Sequence, residues 1–176
     1  MIRMIKKTSN ESLYWQVWKV GKQLCTLSGI LGMNGEKEEK RLKLLESSKL
    51  AMNRLAKEKV NQGYEHVEKN SLIKVVVQYR YEDEEQFDEA EEKSLFVEDL
   101  IDEALHSTGN GELYGSEIGD GAGTTFCLVV DVELAFKTIW KVLSSHNLIE
   151  GVEIAFLHDE GQYISLYPVG ANFEIG

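Results

Sequence analysis

The 176-residue sequence predicts an α+β chain in two domains, residues 1–70 and residues 71–176. Three observations carry this reading. Apolar residues recur with period two in several short runs and with helical period in three longer ones, so strands and helices are both expected. Clusters of glycine, asparagine and serine separate those runs at turn-like intervals. The charge is divided, with a formal net charge of +6 over residues 1–70 and −17 over residues 71–176, giving −11 for the whole. The boundary falls in Glu68-Lys69-Asn70-Ser71, a short polar stretch without glycine or proline, and a link this short makes the two halves neighbours. The charge division fits two halves with different partners, and it equally fits two halves that attract each other.

In the first half, Leu13, Trp15 and Val17 alternate with Tyr14, Gln16 and Trp18, a strand pattern. Gly21-Lys22 marks a turn, Gln23 to Leu31 reads as the returning strand, and a third strand follows around Lys37 to Leu44. Between them Gly29, Gly32 and Gly35 punctuate Ser28-Gly29-Ile30-Leu31-Gly32-Met33-Asn34-Gly35, where positive-φ turns are expected. Ser47 or Ser48 is placed to cap a helix running to about Asn61, with Ala51, Met52, Leu55, Ala56 and Val60 on its apolar stripe. Gly63 ends the helix from the C′ position, and Tyr64 to Val67 returns as a short strand.

Three strands, a glycine-punctuated hairpin, a helix and the closing run Glu58-Lys59-Val60-Asn61-Gln62-Gly63-Tyr64 together resemble a WGR domain over about residues 10–68. The positions matching the motif are Gly29, Gly32, Gly35, Gly63 and Tyr64. In that family, found in poly(ADP-ribose) polymerases and in molybdate-regulator-like bacterial proteins, the signature Trp and Arg lie on the surface used for nucleic acid. Here Ser28 stands in place of the Trp and Ile30 in place of the Arg. Serine cannot stack, and isoleucine cannot make the bidentate contacts of a guanidinium. The resemblance therefore implies the fold, with any nucleic-acid contact moved to the remaining basic residues. These are Lys37, Lys40, Arg41 and Lys43 on the third strand, and Lys49, Arg54, Lys57 and Lys59 on the helix; the six singled out for contact are Lys37, Lys40, Arg41, Lys49, Arg54 and Lys57. Lysines on a helix are also what an ordinary solvated face carries. Trp15 and Trp18 fit a stacking platform or the core of a sheet.

In the second half, Leu72 to Tyr81 is a strand with Ile73, Val75, Val77 and Tyr79 on one face. The acidic run from Glu82 to Glu92 is expected as a solvated loop or frayed turn, with Ser94 capping a helix to about His106 whose stripe is Val97, Leu100, Ile101, Ala104 and Leu105. Gly109-Asn110-Gly111 stops it. A strand near Glu112 to Ile118, the hairpin connection Gly119-Asp120-Gly121-Ala122-Gly123 and a strand from Thr124 to Val130 follow. Asp131 caps a further helix with Val132, Ala135, Phe136, Ile139 and Leu143 inward, and strands Val152 to Leu157 and Tyr163 to Tyr167 close the chain. The order β-α-β-β-α-β with one added strand is that of a ferredoxin-like split β-α-β. The run from Val97 to Asp131 resembles a module of bacterial proteins that brings no activity with it.

The glycine-rich Gly119 to Thr125 lacks the Gly-Lys-Ser/Thr ending of a phosphate loop and joins two strands instead of opening a helix. Gly115-Ser116-Glu117 lacks the second glycine of a nucleophile elbow. His66, His106, His146 and His158 are scattered without metal-ligand spacing. Asp159 and Glu160 beside His158 read as turn residues, with a cation or proton-transfer role as the alternative. The acidic run also lacks the spaced ligands and central glycine of a calcium loop, and fits better as a lure for a basic protein.

No catalytic constellation, metal or cofactor is therefore expected. A charged fraction of 28% with strand-length apolar runs, an N-terminus without an apolar h-region, and two distant cysteines argue for a cytoplasmic chain without a membrane span. The expected function is a non-enzymatic binding protein associated with nucleic acid through its basic half. The alternative is an acidic protein-interaction factor, such as an immunity or antitoxin-like inhibitor of a basic partner. A third option is a small-molecule sensor on the ferredoxin-like half. Oligomeric state is not legible in the residues.

Overall fold

A computed structural model describes residues 1–42, 46–82, 84–158 and 161–176. The chain is α+β and divides into two compact units: Met1–Ser71 with Ser107–Gly109, and Leu72–His106 with Asn110–Gly176.

The first unit holds β1 (Ile2–Lys7), β2 (Ser12–Val20), β3 (Gln23–Ile30), β4 (Glu36–Arg41), α1 (Ser48–Asn61) and β5 (Glu65–His66). They form an antiparallel sheet in the order β4-β3-β2-β1-β5. Gly21-Lys22 is the two-residue loop between the paired Val20 and Gln23, with Gly21 at φ +56°. One face of the sheet packs on α1 through Met4, Trp15, Val17 and Ala56, with Ile2, Met52, Leu55 and Tyr64 around them. Burying side chains the size of Met4 and Val17 contributes about 1.5–3 kcal/mol each.

β1 was not expected from the sequence. Its run Ile2-Arg3-Met4-Ile5 hides the strand period, because Arg3, Met4 and Ile5 are all buried and both faces of the strand are covered. The third strand is β4, and Lys43 and Leu44 at the end of the predicted run lie outside the described residues. Ser47 stands at the N-cap of α1, but its side chain accepts no cap hydrogen bond. Val60, expected on the buried stripe, is 45% exposed, because the stripe narrows to Ala51 and Ala56 with Met52 and Leu55 beside them. Gly63 at φ +88° ends the helix as expected.

The second unit holds β6 (Ile73–Arg80), α2 (Phe87–Ser107, whose last residue belongs to the first unit), β7 (Gly111–Gly119), β8 (Ala122–Val129), α3 (Val132–Ser145), β9 (Val152–Leu157) and β10 (Tyr163–Tyr167). Its sheet runs β10-β9-β6-β8-β7, with neighbours antiparallel. β6 is central, and residues of both its faces are buried. Val75, Val77 and Tyr79 meet Val97, Ile101 and Leu105 of α2 and Ala135, Ile139 and Leu143 of α3. On the opposite face Val76 and Ala155 meet Phe173, and Gln78 is wholly buried. The Gln78 amide donates to Glu153 Oε2 (2.9 Å) and Glu174 O (3.1 Å), while its oxygen accepts from Thr124 Oγ1 (3.1 Å) and Gly176 N (3.0 Å). Both donors and both acceptor positions of the amide are thereby used.

The largest departure from expectation is the acidic run. A short 3₁₀ turn spans Glu84–Gln86, and α2 already begins at Phe87, so the helix takes in the second half of the run; Asp83 lies outside the described residues. Phe87, Ala90, Ser94, Val97 and Ile101 follow one another at three- and four-residue steps, which extends the inward stripe past the predicted cap. Ser94 is accordingly a buried mid-helix residue, where a Cβ on Gly123 would stand 3.3 Å from its hydroxyl. Asp88 and Glu89 in the first turn complement the helix dipole. By contrast Asp131 caps α3 as expected, accepting from Leu134 N at 2.9 Å. The Asp120-Gly121 loop between the paired Gly119 and Ala122 has φ of +50° and +81°, a two-residue type I′ turn.

Candidate functional site

α1 carries four basic residues and one acidic one, Glu58. Lys49, Arg54 and Lys57 are exposed, as are Asn53 and Asn61. Residues four apart on a helix share a face, so Lys49, Asn53, Lys57 and Asn61 form one line about 18 Å long at 1.5 Å of rise per residue. No carboxylate stands in that line. Arg54 flanks it, with Nη2 3.2 Å from Glu46 Oε1. Asn53 and Asn61 were not singled out from the sequence, although their spacing from the lysines is legible there.

Lys59 sits differently. It is half-buried, with Nζ 5.8 Å from the Trp15 ring centre and 5.3 Å from that of Tyr64, and Lys6 Nζ is 5.9 Å from Tyr64. Trp15 is buried beneath α1, and burial raises the Tyr64 phenol above its ordinary pKa. These aromatics are therefore part of the packing under the helix.

β4 combines Lys37, Lys40 and Arg41 with Glu36, Glu38 and Glu39, so the strand has no net charge. In register, Lys37, Glu39 and Arg41 face one side, and Glu36, Glu38 and Lys40 the other. All six are exposed on the edge of the sheet. Lys37 Nζ lies 2.7 Å from Glu39 Oε1, and that hydrogen bond raises the ammonium pKa. Mixed charge on an edge strand also discourages edge-to-edge pairing.

The motif glycines surround a phenol. A Cβ on Gly29 would stand 3.2 Å from Tyr14 Cε1, and one on Gly35 would fall on the Tyr14 hydroxyl and 2.7 Å from Ser28 O. Gly109, at φ +68°, presses on the same ring. The Tyr14 hydroxyl donates to Ser107 O at 2.8 Å, and the amides of Gly32 and Gly35 donate to Thr108 O and Ser107 O, both at 3.0 Å. Burial pushes the phenol up to about 12. The segment Ser107–Gly109 thus completes the first unit's hydrogen bonding, which is why it belongs there despite the predicted boundary at residue 70. Gly32 has φ +84°. Ser28 is half-buried on β3, and Ile30 at the end of that strand is 37% exposed.

The histidines belong to different elements or follow them. His66 lies on β5, His106 is in the last turn of α2, and His146 follows α3 with Nδ1 2.9 Å from Val142 O. His158 follows β9, while Asp159 and Glu160 beside it lie outside the described residues. Among the described residues, no three His, Cys, Asp or Glu side chains gather to hold a metal ion, and no helix is long and apolar enough to cross a membrane. The chain matches no protein-family model, no curated protein and no solved structure.

Proposed function

We propose that this chain is a non-enzymatic binding protein that contacts the phosphate backbone of nucleic acid through the outer face of α1. The observation that carries the reading is the exposed line Lys49, Asn53, Lys57 and Asn61, without a carboxylate and with Arg54 at its flank. Ammonium and amide donors in a row suit phosphate oxygens, and they give affinity with little choice of sequence. The WGR resemblance supports the reading at the level of fold only, since Ser28 and Ile30 replace its signature contacts. Lys37, Lys40 and Arg41 contribute less, because three glutamates share their strand. Two buried free cysteines fit a reducing compartment such as the cytoplasm.

The test is fluorescence anisotropy of labelled duplex DNA and RNA with the full chain at several salt concentrations. Three phosphate contacts predict a slope of about −2.7 in log affinity against log salt on duplex DNA, roughly a sixfold loss per doubling of salt. Removing Lys49 and Lys57 as the double K49E/K57E variant lowers that slope by about 1.8 or abolishes binding. Absence of binding at low salt, or affinity unchanged by the double substitution, sinks the proposal.

A second reading is favoured by α2. Leu95 and Phe96 are 57% and 49% exposed, beside the exposed acids Glu91, Glu92, Asp99 and Glu103. An apolar pair within a carboxylate rim suits a basic protein surface with an apolar anchor. A folded chain that fails to bind nucleic acid directs attention there.

A further inference from the structure

The sheet of the second unit is packed on one face by α2 and α3, and on the other by a length of its own chain. After β10 a turn at residues 168–170, closed by Ala171 N donating to Pro168 O at 3.2 Å, leads residues 171–176 back over the sheet without joining it as a strand. Phe173 is buried there against Val76 and Ala155, with Phe126 and Tyr163 beside it. We infer that this face is a peptide-binding groove that residues 173–176 occupy in cis, and that its partner in trans is a basic extended segment with an aromatic residue and a glycine three positions later.

The groove reads main chain. Glu174 O accepts from Gln78 Nε2 at 3.1 Å and from Arg80 Nη2 at 2.7 Å, and Gly176 N donates to Gln78 Oε1 at 3.0 Å. Any extended chain offers such a carbonyl and such an amide, so this grip is independent of the side chain at position 174. Gln78 is wholly buried on the central strand, where packing alone would be served by another valine. A buried carboxamide is costly unless its hydrogen bonds are made. The sheet itself supplies Glu153 and Thr124 to that amide, and the crossing main chain supplies the other two partners. Arg80 is oriented for the same carbonyl, because its Nε stands 3.2 Å from both oxygens of Glu153.

Two positions carry the selectivity. Phe173 fills the apolar end of the groove. At the other end a Cβ on Gly176 would fall 2.7 Å from Ala122 Cβ and 3.5 Å from Arg80 Nη1, so only glycine passes there. Asn172, Glu174 and Ile175 are exposed. Charge then chooses the partner. Residues 71–176 have a net charge of −17, and the exposed Glu174 stands in that field with the unfavourable sign. A lysine at its place in a partner is attracted instead. The chain's own segment is thus a weak occupant whose advantage is its tether, worth an effective concentration on the order of millimolar.

The experiment is amide-resolved NMR titration of the full chain carrying Phe173→Ala, which empties the aromatic end, with end-capped synthetic peptides of residues 169–176. Saturable shifts are expected at Val76, Gln78, Arg80, Ala122 and Ala155, with an affinity about tenfold or more above that of the wild-type chain, whose tethered segment competes. The peptide with Glu174→Lys binds severalfold tighter at low salt, and peptides with Phe173→Ala or Gly176→Ala do not bind. If the protein variant does not fold, the wild-type chain under excess lysine peptide shows the same shifts and loses exchange protection at the Gly176 amide. The inference is overturned by the absence of saturable shifts in both proteins, or by alanine peptides that bind as well as the parent. A lysine peptide no tighter than its parent overturns the choice of a basic partner. Wild-type dimers that form with rising concentration and vanish with Phe173→Ala overturn it in favour of a second copy of the chain.

Discussion

Replacing Gly35 by alanine tests whether the glycine spacing of Ser28–Gly35 serves packing or a ligand. The added methyl would fall on the Tyr14 hydroxyl, 2.9 Å from Tyr14 Cζ and 2.7 Å from Ser28 O. The carbonyl belongs to β3 at its pairing with Glu36, the residue next to the substitution, so the backbone there cannot withdraw without breaking the β3–β4 ladder. The phenol cannot withdraw freely either, since its hydroxyl is held by Ser107 O at 2.8 Å. Overpacking of this kind costs about 1–3 kcal/mol, and weakening the phenol hydrogen bond adds about 1 kcal/mol. The expected loss is therefore about 2–4 kcal/mol in the first unit. Native-state hydrogen exchange of β2 and β3 amides in the full chain reads this unit by itself, which matters because a chain of two units need not unfold in one step. Tyr14→Phe removes the hydroxyl that the methyl would strike, so the G35A/Y14F double variant should lose less than the two single variants together. A Gly35→Ala protein within about 0.5 kcal/mol of the parent would refute the packing account.

Two further outcomes follow from the second unit. Asp131→Ala removes the acceptor for Leu134 N and is expected to cost about 1 kcal/mol, seen as a shift in the denaturation midpoint with unchanged slope; an unchanged midpoint contradicts the capping role. The Cys127 thiol is pushed from 9.0 up to about 12, chiefly by burial and secondarily by Asp102 and Glu98. Its folded pKa exceeds the unfolded one, so the unfolded chain releases the proton first, and stability present below pH 9 is lost as pH climbs toward 12. Cys127→Ala should flatten that decline in thermal melts, and an equal slope in both proteins would exclude the thiol as its source.

How much of this could be read from residues varies by element for physical reasons. α3 was legible from Asp131 through Leu143, because cap, stripe and flanking turns agree. The start of α2 was not: glutamate is a good helix former, yet a dense acidic run also looks like solvated loop, and the stripe through Phe87, Ala90 and Ser94 is too weakly apolar to decide. β1 was hidden because burial on both faces erases alternation. In the candidate interface, the lysines of α1 were visible, whereas cancellation on β4 follows from counting the glutamates between them.

The segment Ser107–Gly109 has a bearing on how the chain can be taken apart. Its residues count with the first unit, while the residues on both sides of it count with the second. Neither unit is thus a continuous stretch of sequence, and no single cut yields either one whole. A piece ending at residue 70 leaves the Tyr14 hydroxyl and the amides of Gly32 and Gly35 without the carbonyls of Ser107 and Thr108. Such a piece would misreport the affinity of the α1 face by loosening the sheet beneath it. A faithful excision would have to graft the three residues back, or circularly permute the chain so that they travel with β1 to β5.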